Sequence, residues 1–217
     1  MSQSLTLYSY WRSSASYRVR LALAIKGLEH ELRPVHLVRN GGEQHADAYR
    51  NLNPQALVPT LVHGDLVLTQ SLAIIEYLDE TFPVVPLLPP SSAQRARART
   101  MAQAIACDIH PLNNLRVLTY LIEVAGLDEP ARLAWYRHWT ETGLAAFEQL
   151  LRRQGDSAYC AGAEPGLADC CLLPQIYNAR RFNCHLEGLD RALGICSRLE
   201  ALEAVQAAAP ENQPDAE

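Results

Sequence analysis

The sequence predicts an α/β domain over residues 1–85, followed by an all-helical domain over residues 92–217. Three observations support this division. Short β-rich runs alternate with amphipathic segments until about residue 82, and only helical periodicity follows after about residue 92. Between them lies the segment PVVPLLPPSS, which has four prolines and no helical period, as expected of a linker.

The α/β part starts with the β-rich run LTLYSYW and continues into a helical pattern that stops at Gly27. A second strand is predicted in HELRPVHLV, followed by a short polar helix or irregular segment in HADAYRNLN. The runs TLV and LVLT then form a hairpin turning at His63, Gly64 and Asp65, and SLAIIEYLDETFP forms a helix closed by Pro83. The order β-α-β-α-β-β-α is that of a thioredoxin-like domain.

Long helical patterns fill the second part of the chain. The first, beginning near residue 93, is interrupted by Pro111, which must kink the helix or end it at Ile109. Two further helices fit residues 129–155 and 167–182. The terminal segment AAAPENQPDAE is expected to be frayed.

Composition excludes several classes of function. Of the 217 residues 48% are hydrophobic, and the net charge of -5, with basic residues scattered apart from QRARART, argues against a nucleic-acid partner. The start lacks a signal-peptide pattern and no apolar run approaches about 18 residues, so we expect a cytoplasmic protein that does not cross a membrane. The six cysteines form no C-x-x-C pair, so we expect free, mostly buried thiols and no metal site.

The most informative stretch is the junction between the first strand and the first helix. There Arg12 is followed by the hydroxyls of Ser13 and Ser14. One serine would be explained as a helix N-cap, but two in a row after an arginine are harder to explain in this way. The position lies at the carboxyl end of a strand, where open α/β sheets bind ligands and a helix N-terminus favours anions. A hydroxyl there could stabilise a bound thiolate.

Two further elements have both a structural and a functional interpretation. Pro59 could simply begin a strand, or the Val58-Pro59 bond could be cis and leave the Val58 backbone free to pair with an extended peptide; the sequence alone favours the first. Ser71 is fully explained as the N-cap of the following helix. The start of this helix also places Gln70, Ser71 and free backbone N–H groups around a candidate anion site, with Glu76 slightly further along the helix.

With these residues in place, the sequence resembles those of the zeta class of glutathione transferases. The resemblance runs from about residue 5 to residue 214 and is carried by YSYWRSSASYRVRLALAIKG, GGEQ, LNPQALVPTL, TQSLAIIEYLDE, PLLP and LADCCLLPQIYNARRF. Its most specific part is the S-S-x-x-x-R-V-R pattern. It implies the glutathione transferase fold, glutathione as cofactor, a homodimer, and cis–trans isomerisation of maleylacetoacetate to fumarylacetoacetate in tyrosine and phenylalanine degradation.

The resemblance also implies roles for individual residues. Ser14, with Ser13 beside it, would stabilise the glutathione thiolate, and Arg12 and Arg181 would bind the carboxylates of a dicarboxylate substrate. A second group would hold glutathione: Val58 beside a cis Pro59 at its cysteinyl part, Gln70 and Ser71 at its γ-glutamyl carboxylate, and Gln44 at its glycyl end. His110 and Asn114 are weaker candidates, since they could equally satisfy backbone groups freed by Pro111.

The sequence departs from the zeta pattern at two positions. Ala15 replaces the cysteine of the S-S-C motif, so no role for a thiol remains there. Gly166 takes the place of a Ser or Thr helix cap, with Asp169 three residues later, and the helix should survive because glycine is an acceptable cap.

Two alternative activities stay open. Isomerisation of maleylpyruvate is a close competitor; Leu115 stands where those relatives tend to carry an arginine, which favours maleylacetoacetate, although Arg116 is adjacent. Transfer of glutathione to α-halo acids would use the same thiolate. A non-catalytic protein that keeps only the fold is disfavoured by the presence of Ser14, Val58, Gln70 and Ser71 together.

Overall fold

The computed structural model describes residues 4–217, which form two compact units. One contains the described residues up to Leu87 together with Glu200–Glu217, and the other contains Leu88–Leu199. The division at Leu87 falls inside the proline-rich segment. The prediction of one helical domain over residues 92–217 differs from the structure at its C-terminal end. There Glu200–Glu217 group with the α/β unit. No helix of the described residues is both long enough and apolar enough to span a membrane.

The first unit is built on a four-stranded mixed sheet with strand order β2-β1-β3-β4. Strand β1 (Leu5–Ser9) runs parallel to β2 (His30–Pro34) and antiparallel to β3 (Thr60–His63), which forms a hairpin with β4 (Leu66–Thr69). Leu5, Leu7 and Leu61, on the two central strands, are buried, as expected for a sheet covered by helices. The strands and the hairpin follow one another along the chain as the predicted order β-α-β-α-β-β-α requires.

Helix α1 (Ser14–Ile25) is buried along most of its length. It packs against α3 (Ser71–Thr81) and against α9 (Glu203–Ala208), which belongs to the C-terminal segment. It ends where the sequence predicts, because Gly27 adopts a φ of 64°, a left-handed conformation that favours glycine. The connection between β2 and β3 contains two short 3₁₀ turns and the single-turn helix α2 (Asp47–Arg50).

The expectation of a frayed tail is wrong. After α9 the chain makes a 3₁₀ turn at Pro210–Asn212, and the amide of Gln213 donates to the carbonyls of Ala207 and Ala209. Ala216 then packs against a buried cluster of the α/β unit. The small and polar residues suggested fraying, but side-chain amides satisfy the backbone carbonyls of the segment and hold it in place.

The second unit is helical. Its helices are α4 (Ser92–Gln103), α5 (Leu115–Glu123), α6 (Glu129–Arg153), α7 (Leu167–Arg181) and α8 (Asp190–Glu200). After α4 the chain continues as a π-helical turn over Ala104–Ile109 and a 3₁₀ turn over His110–Asn113. The helical pattern therefore breaks at the predicted place, because Pro111 lacks the N–H that a continuing helix needs.

Helix α7 begins at the predicted cap. Gly166 precedes its first residue, and the two carboxylate oxygens of Asp169 accept hydrogen bonds from the backbone N–H groups of Gly166 and Cys160, each at 2.9 Å. Burial raises the pKa of Asp169 to about 6, although both backbone hydrogen bonds favour its charged form. Asp169 thus joins the start of the helix to the preceding loop.

We expect Asp169→Ala to lower the free energy of unfolding by about 2–4 kcal/mol, because two buried N–H groups would lose their acceptor. Denaturant unfolding with an unchanged m value measures this loss. Asp128→Ala, which removes the exposed cap of α6, is the matched control and should cost only about 1 kcal/mol. Equal losses in the two variants would contradict the role given to burial.

Candidate active site

The connection from β1 to α1 places the serine pair at the start of a helix. Ser13 is the N-cap, and its Oγ accepts a hydrogen bond from the N–H of Ser16 at 3.2 Å. Ser14 is the first helical residue and its side chain is buried. Capping therefore explains Ser13 and not Ser14. The free N–H groups of a first helical turn create a partial positive charge where Ser14 lies.

Arg12 precedes the serines on the same connection. Its guanidinium donates to the hydroxyl of Tyr10 at 3.0 Å and lies 4.8 Å from the ring centroid of Trp11. These two aromatic side chains hold the cation next to the start of α1. A guanidinium fixed in this way is suited to binding a carboxylate.

The start of α3 forms a second helix terminus in the same unit. Gln70 takes the N-cap position with a φ of 72°, and its amide donates to the side chain of Gln55 at 2.8 Å. Ser71 is the first helical residue, so the prediction that it caps the helix is wrong. Its Oγ instead accepts a hydrogen bond from the guanidinium of Arg18 at 3.2 Å. This bond joins α1 to the start of α3.

The Val58-Pro59 bond is cis. The resemblance implies this conformation, whereas the sequence alone favours a proline that simply begins a strand. Val58 packs in a buried cluster with Tyr10, Trp11, Val35 and Tyr49, so the cluster joins the segment before β3 to the connection after β1. Among the described residues, no hydrogen bond uses the backbone N–H or C=O of Val58. That backbone can therefore pair with an extended ligand.

Gln44 lies in the second 3₁₀ turn of the connection between β2 and β3. Its amide nitrogen donates to the carbonyl of Leu37 at 3.2 Å and lies 3.2 Å from the ring of His45. Its Oε1 is buried and has no hydrogen-bond partner among the described residues. A buried amide oxygen without a donor is unusual, and a ligand that carries an N–H group would satisfy it.

His110 and Asn114 lie on either side of the helical break in the second unit. The Asn114 amide nitrogen is 3.4 Å from Nε2 of His110, and its Oδ1 caps α5 by accepting from the N–H of Arg116. Asn114 therefore satisfies local groups near Pro111, which is the structural alternative that the sequence offers for this residue.

Arg181 is the last residue of α7. Its guanidinium carbon lies 5.0 Å from the ring centroid of Phe182, which in turn stacks on Tyr136 with ring centroids 3.9 Å apart. Burial raises the pKa of Tyr136, so its hydroxyl stays protonated, and this hydroxyl has no hydrogen-bond partner among the described residues. The end of α7 thus combines a cation with a buried hydroxyl donor.

Burial makes most of the cysteines poorly suited to act as nucleophiles. All six are free, and only Cys107 is exposed. Burial raises the pKa of Cys184 to about 11 and the pKa of Cys160 well above its usual value. Among the described residues, no group of three or more His, Cys, Asp or Glu side chains is arranged to hold a metal ion.

The sequence analysis assigns no role to the residues that support the site. Arg18 and Arg20, the two arginines of the S-S-x-x-x-R-V-R pattern, are almost completely buried on α1, and Asp215 lies in the segment expected to fray. One signal was available, because two arginines within an apolar helical run are costly to bury unless they bind specific acceptors.

Taken together, the first unit offers two helix starts, a buried amide oxygen and an unpaired backbone segment. This set fits a peptide-like ligand that carries a carboxylate and a thiol. A family model described as "glutathione S-transferase, N-terminal domain" matches residues 3–80 of the chain.

Full-length relatives agree with this match. A protein of Vibrio cholerae described as a probable maleylacetoacetate isomerase is 51% identical over 213 residues, or 98% of this chain and 99% of that protein. A solved holo structure of a maleylpyruvate isomerase, described as a bacterial glutathione S-transferase of the zeta class, has a TM-score of 0.94 at 43% identity, covering 98% of this chain and all of that chain. The chain therefore belongs to the zeta class of the glutathione S-transferase family.

A third relative was solved with ligands. It is a maleylacetoacetate isomerase from Methylobacterium extorquens with bound malonate and glutathione, and it is 40% identical with a TM-score of 0.93. The alignment covers 98% of this chain and 99% of that chain.

Proposed function

We propose that this protein is a glutathione-dependent cis–trans isomerase that converts maleylacetoacetate to fumarylacetoacetate. The observation that carries the proposal is the division of roles within the serine pair, in which Ser13 caps α1 and leaves Ser14 at the first helical position. Relatives of almost the same length with this activity in their names support it.

Ser14 stabilises the thiolate of bound glutathione. Its hydroxyl donates a hydrogen bond to the sulfur, and the N-terminus of α1 adds a favourable electrostatic potential. Both effects favour the charged form and lower the pKa of the thiol below about 8.5. The thiolate is then available at neutral pH, where a free thiol would be mostly protonated.

Four other residues bind glutathione. The hydroxyl of Ser71 and the N–H groups at the start of α3 bind the γ-glutamyl carboxylate, and Gln70 holds the same part of the ligand. Because Ser71 already accepts from Arg18, its own proton is directed elsewhere and can be donated to a carboxylate. Val58, beside cis Pro59, pairs with the cysteinyl backbone, and Gln44 binds the glycyl end.

Arg12 and Arg181 bind the carboxylates of the substrate. The guanidinium group presents two parallel N–H donors to a carboxylate and remains charged at all relevant pH values. Malonate in the Methylobacterium relative supports a dicarboxylate site in this family. His110 and Asn114 contribute polar contacts to the same ligands.

Bound glutathione supplies a nucleophile that adds to the cis double bond and leaves after rotation about the resulting single bond, so it is regenerated. The protein provides the anchors that hold both carboxylates, and N–H donors that stabilise the negative charge developing on the substrate carbonyl oxygen. We further propose that the protein acts as a cytoplasmic homodimer in tyrosine and phenylalanine degradation.

We expect Ser71→Ala to raise the Kd for glutathione about tenfold, because a hydrogen bond to a charged group is worth about 1.5 kcal/mol or more. Calorimetric titration with S-methylglutathione measures the effect without any contribution from the thiolate. Ser92→Ala, at the first position of α4 in the other unit, is the matched control. An unchanged Kd in Ser71→Ala would remove Ser71 from the glutathione site.

The proposal is tested by following isomerisation of maleylacetoacetate and of maleylpyruvate, each with and without glutathione. We expect glutathione-dependent conversion, faster with maleylacetoacetate. Faster conversion of maleylpyruvate would assign the alternative substrate. Loss of thiol with α-halo acids and no conversion of either maleyl compound would instead identify a conjugating transferase.

A further inference from the structure

The C-terminal segment, residues 210–217, contacts the connection that carries Arg12, Ser13 and Ser14. The backbone N–H of Trp11 donates a hydrogen bond to Oδ2 of Asp215 at 3.0 Å. These two residues are separated by 204 positions in the chain, so the contact depends on the return of the C-terminus to the α/β unit.

Arg20 also holds this connection. Its guanidinium donates to the carbonyls of Trp11 at 2.9 Å and Tyr10 at 3.3 Å, and its Nε donates to the carbonyl of Ala208 at 3.1 Å. One buried side chain therefore binds both the connection and the helix that precedes the C-terminal segment. The N–H and the C=O of Trp11 are both fixed, by Asp215 and by Arg20 respectively.

The end of the segment is anchored independently of Asp215. Ala216 packs against the cluster that includes Tyr10, Trp11 and Val58. The carboxylate of Glu217 pairs with Arg39 and lies 3.5 Å from Nε2 of His36. These contacts bring the carboxylate of Asp215 to Trp11 and limit its movement.

We propose that Asp215 is a positioning residue for the active site. It acts through Trp11, fixing the backbone between β1 and Ser13 so that the Ser14 hydroxyl and the Arg12 guanidinium meet their ligands in a reactive geometry. This inference rests on the proposed function, since the reactive geometry is the one that glutathione requires. Displacements of about 1 Å in such groups can reduce rates about 100-fold.

The experiment compares Asp215→Ala with Asp215→Asn in the full-length protein. The alanine variant loses the acceptor for the Trp11 N–H, whereas the asparagine variant keeps an oxygen at that place. The control Glu203→Ala removes an exposed carboxylate from the same C-terminal region and changes the net charge equally. Three properties are measured: hydrogen exchange at the Trp11 amide, kcat, and the pKa of bound glutathione from ultraviolet difference spectra.

In Asp215→Ala we expect faster exchange at Trp11, a kcat lowered about tenfold and a higher pKa for the bound thiol. The Kd for S-methylglutathione should change less than about twofold, because the α3 site is untouched. Asp215→Asn should restore most of kcat. A general loss of stability would instead raise Kd and lower kcat together, and asparagine would not restore them.

Two results would overturn the inference. Unchanged Trp11 exchange in Asp215→Ala would show that the carboxylate does not hold the connection. Faster exchange with an unchanged kcat and an unchanged thiol pKa would show that the connection does not need to be held. Failure of the proposed function is distinguishable, because the wild-type protein would then isomerise neither substrate, while Trp11 exchange would still report on the contact.

Discussion

Ser14→Ala is expected to lower kcat/KM for isomerisation about 100- to 1,000-fold, the usual effect of removing one donor that stabilises a developing or bound anion. The pKa of the thiol in the glutathione complex should rise towards its free value of about 8.5. Since the thiolate is the reactive form, the pH–rate profile should shift to higher pH, and the rate lost at neutral pH should partly return in alkaline buffer. Stopped-flow or steady-state assays across a pH series measure both effects.

Two further variants distinguish catalysis from capping. Ser14→Thr keeps a hydroxyl and should retain much of the rate. Ser13→Ala removes the cap of α1 and should lower the free energy of unfolding by about 1 kcal/mol. Near-normal turnover and an unshifted profile in Ser14→Ala would remove the central residue of the mechanism.

Arg181→Gln is expected to lower kcat/KM for the dicarboxylate about 100-fold, mainly through a higher KM. Two charge-assisted hydrogen bonds of a bidentate pair are worth about 3 kcal/mol, and every 1.4 kcal/mol corresponds to a factor of ten. The Kd for glutathione should not change. Initial rates over a range of substrate concentrations, at saturating glutathione, separate KM from kcat.

Arg180→Gln is the matched control, because Arg180 is the preceding residue of the same helix, is exposed and carries the same charge. Similar losses in both variants would indicate a general effect of net charge on substrate attraction. Such an effect would weaken strongly as salt is added, whereas the loss of a specific bidentate contact would persist. A normal KM in Arg181→Gln would exclude Arg181 from the substrate site.

The features that the sequence predicted correctly depend on local patterns. The hairpin at Gly64, the end of α1 at Gly27, the break at Pro111 and the Gly166 cap each follow from residues within one or two turns. The family followed from a run of motifs over the whole chain.

The features that the sequence did not predict depend on contacts between distant residues. The sequence around Ser71 predicts a helix cap, but in the structure its hydroxyl accepts a hydrogen bond from Arg18, 53 residues earlier. The sequence of the final segment predicts fraying, but in the structure this segment contacts Trp11 and Arg39. Local propensity gives no information about such pairs, because each residue alone is polar and compatible with solvent.

A single reaction with maleylacetoacetate in about 100-fold excess over glutathione tests whether the protein regenerates its cofactor. We expect complete conversion to the trans product while the concentration of free thiol stays constant, because glutathione is regenerated in each cycle. Conversion that stops when glutathione is used up, with an equivalent loss of thiol, would contradict this expectation and identify a conjugating enzyme.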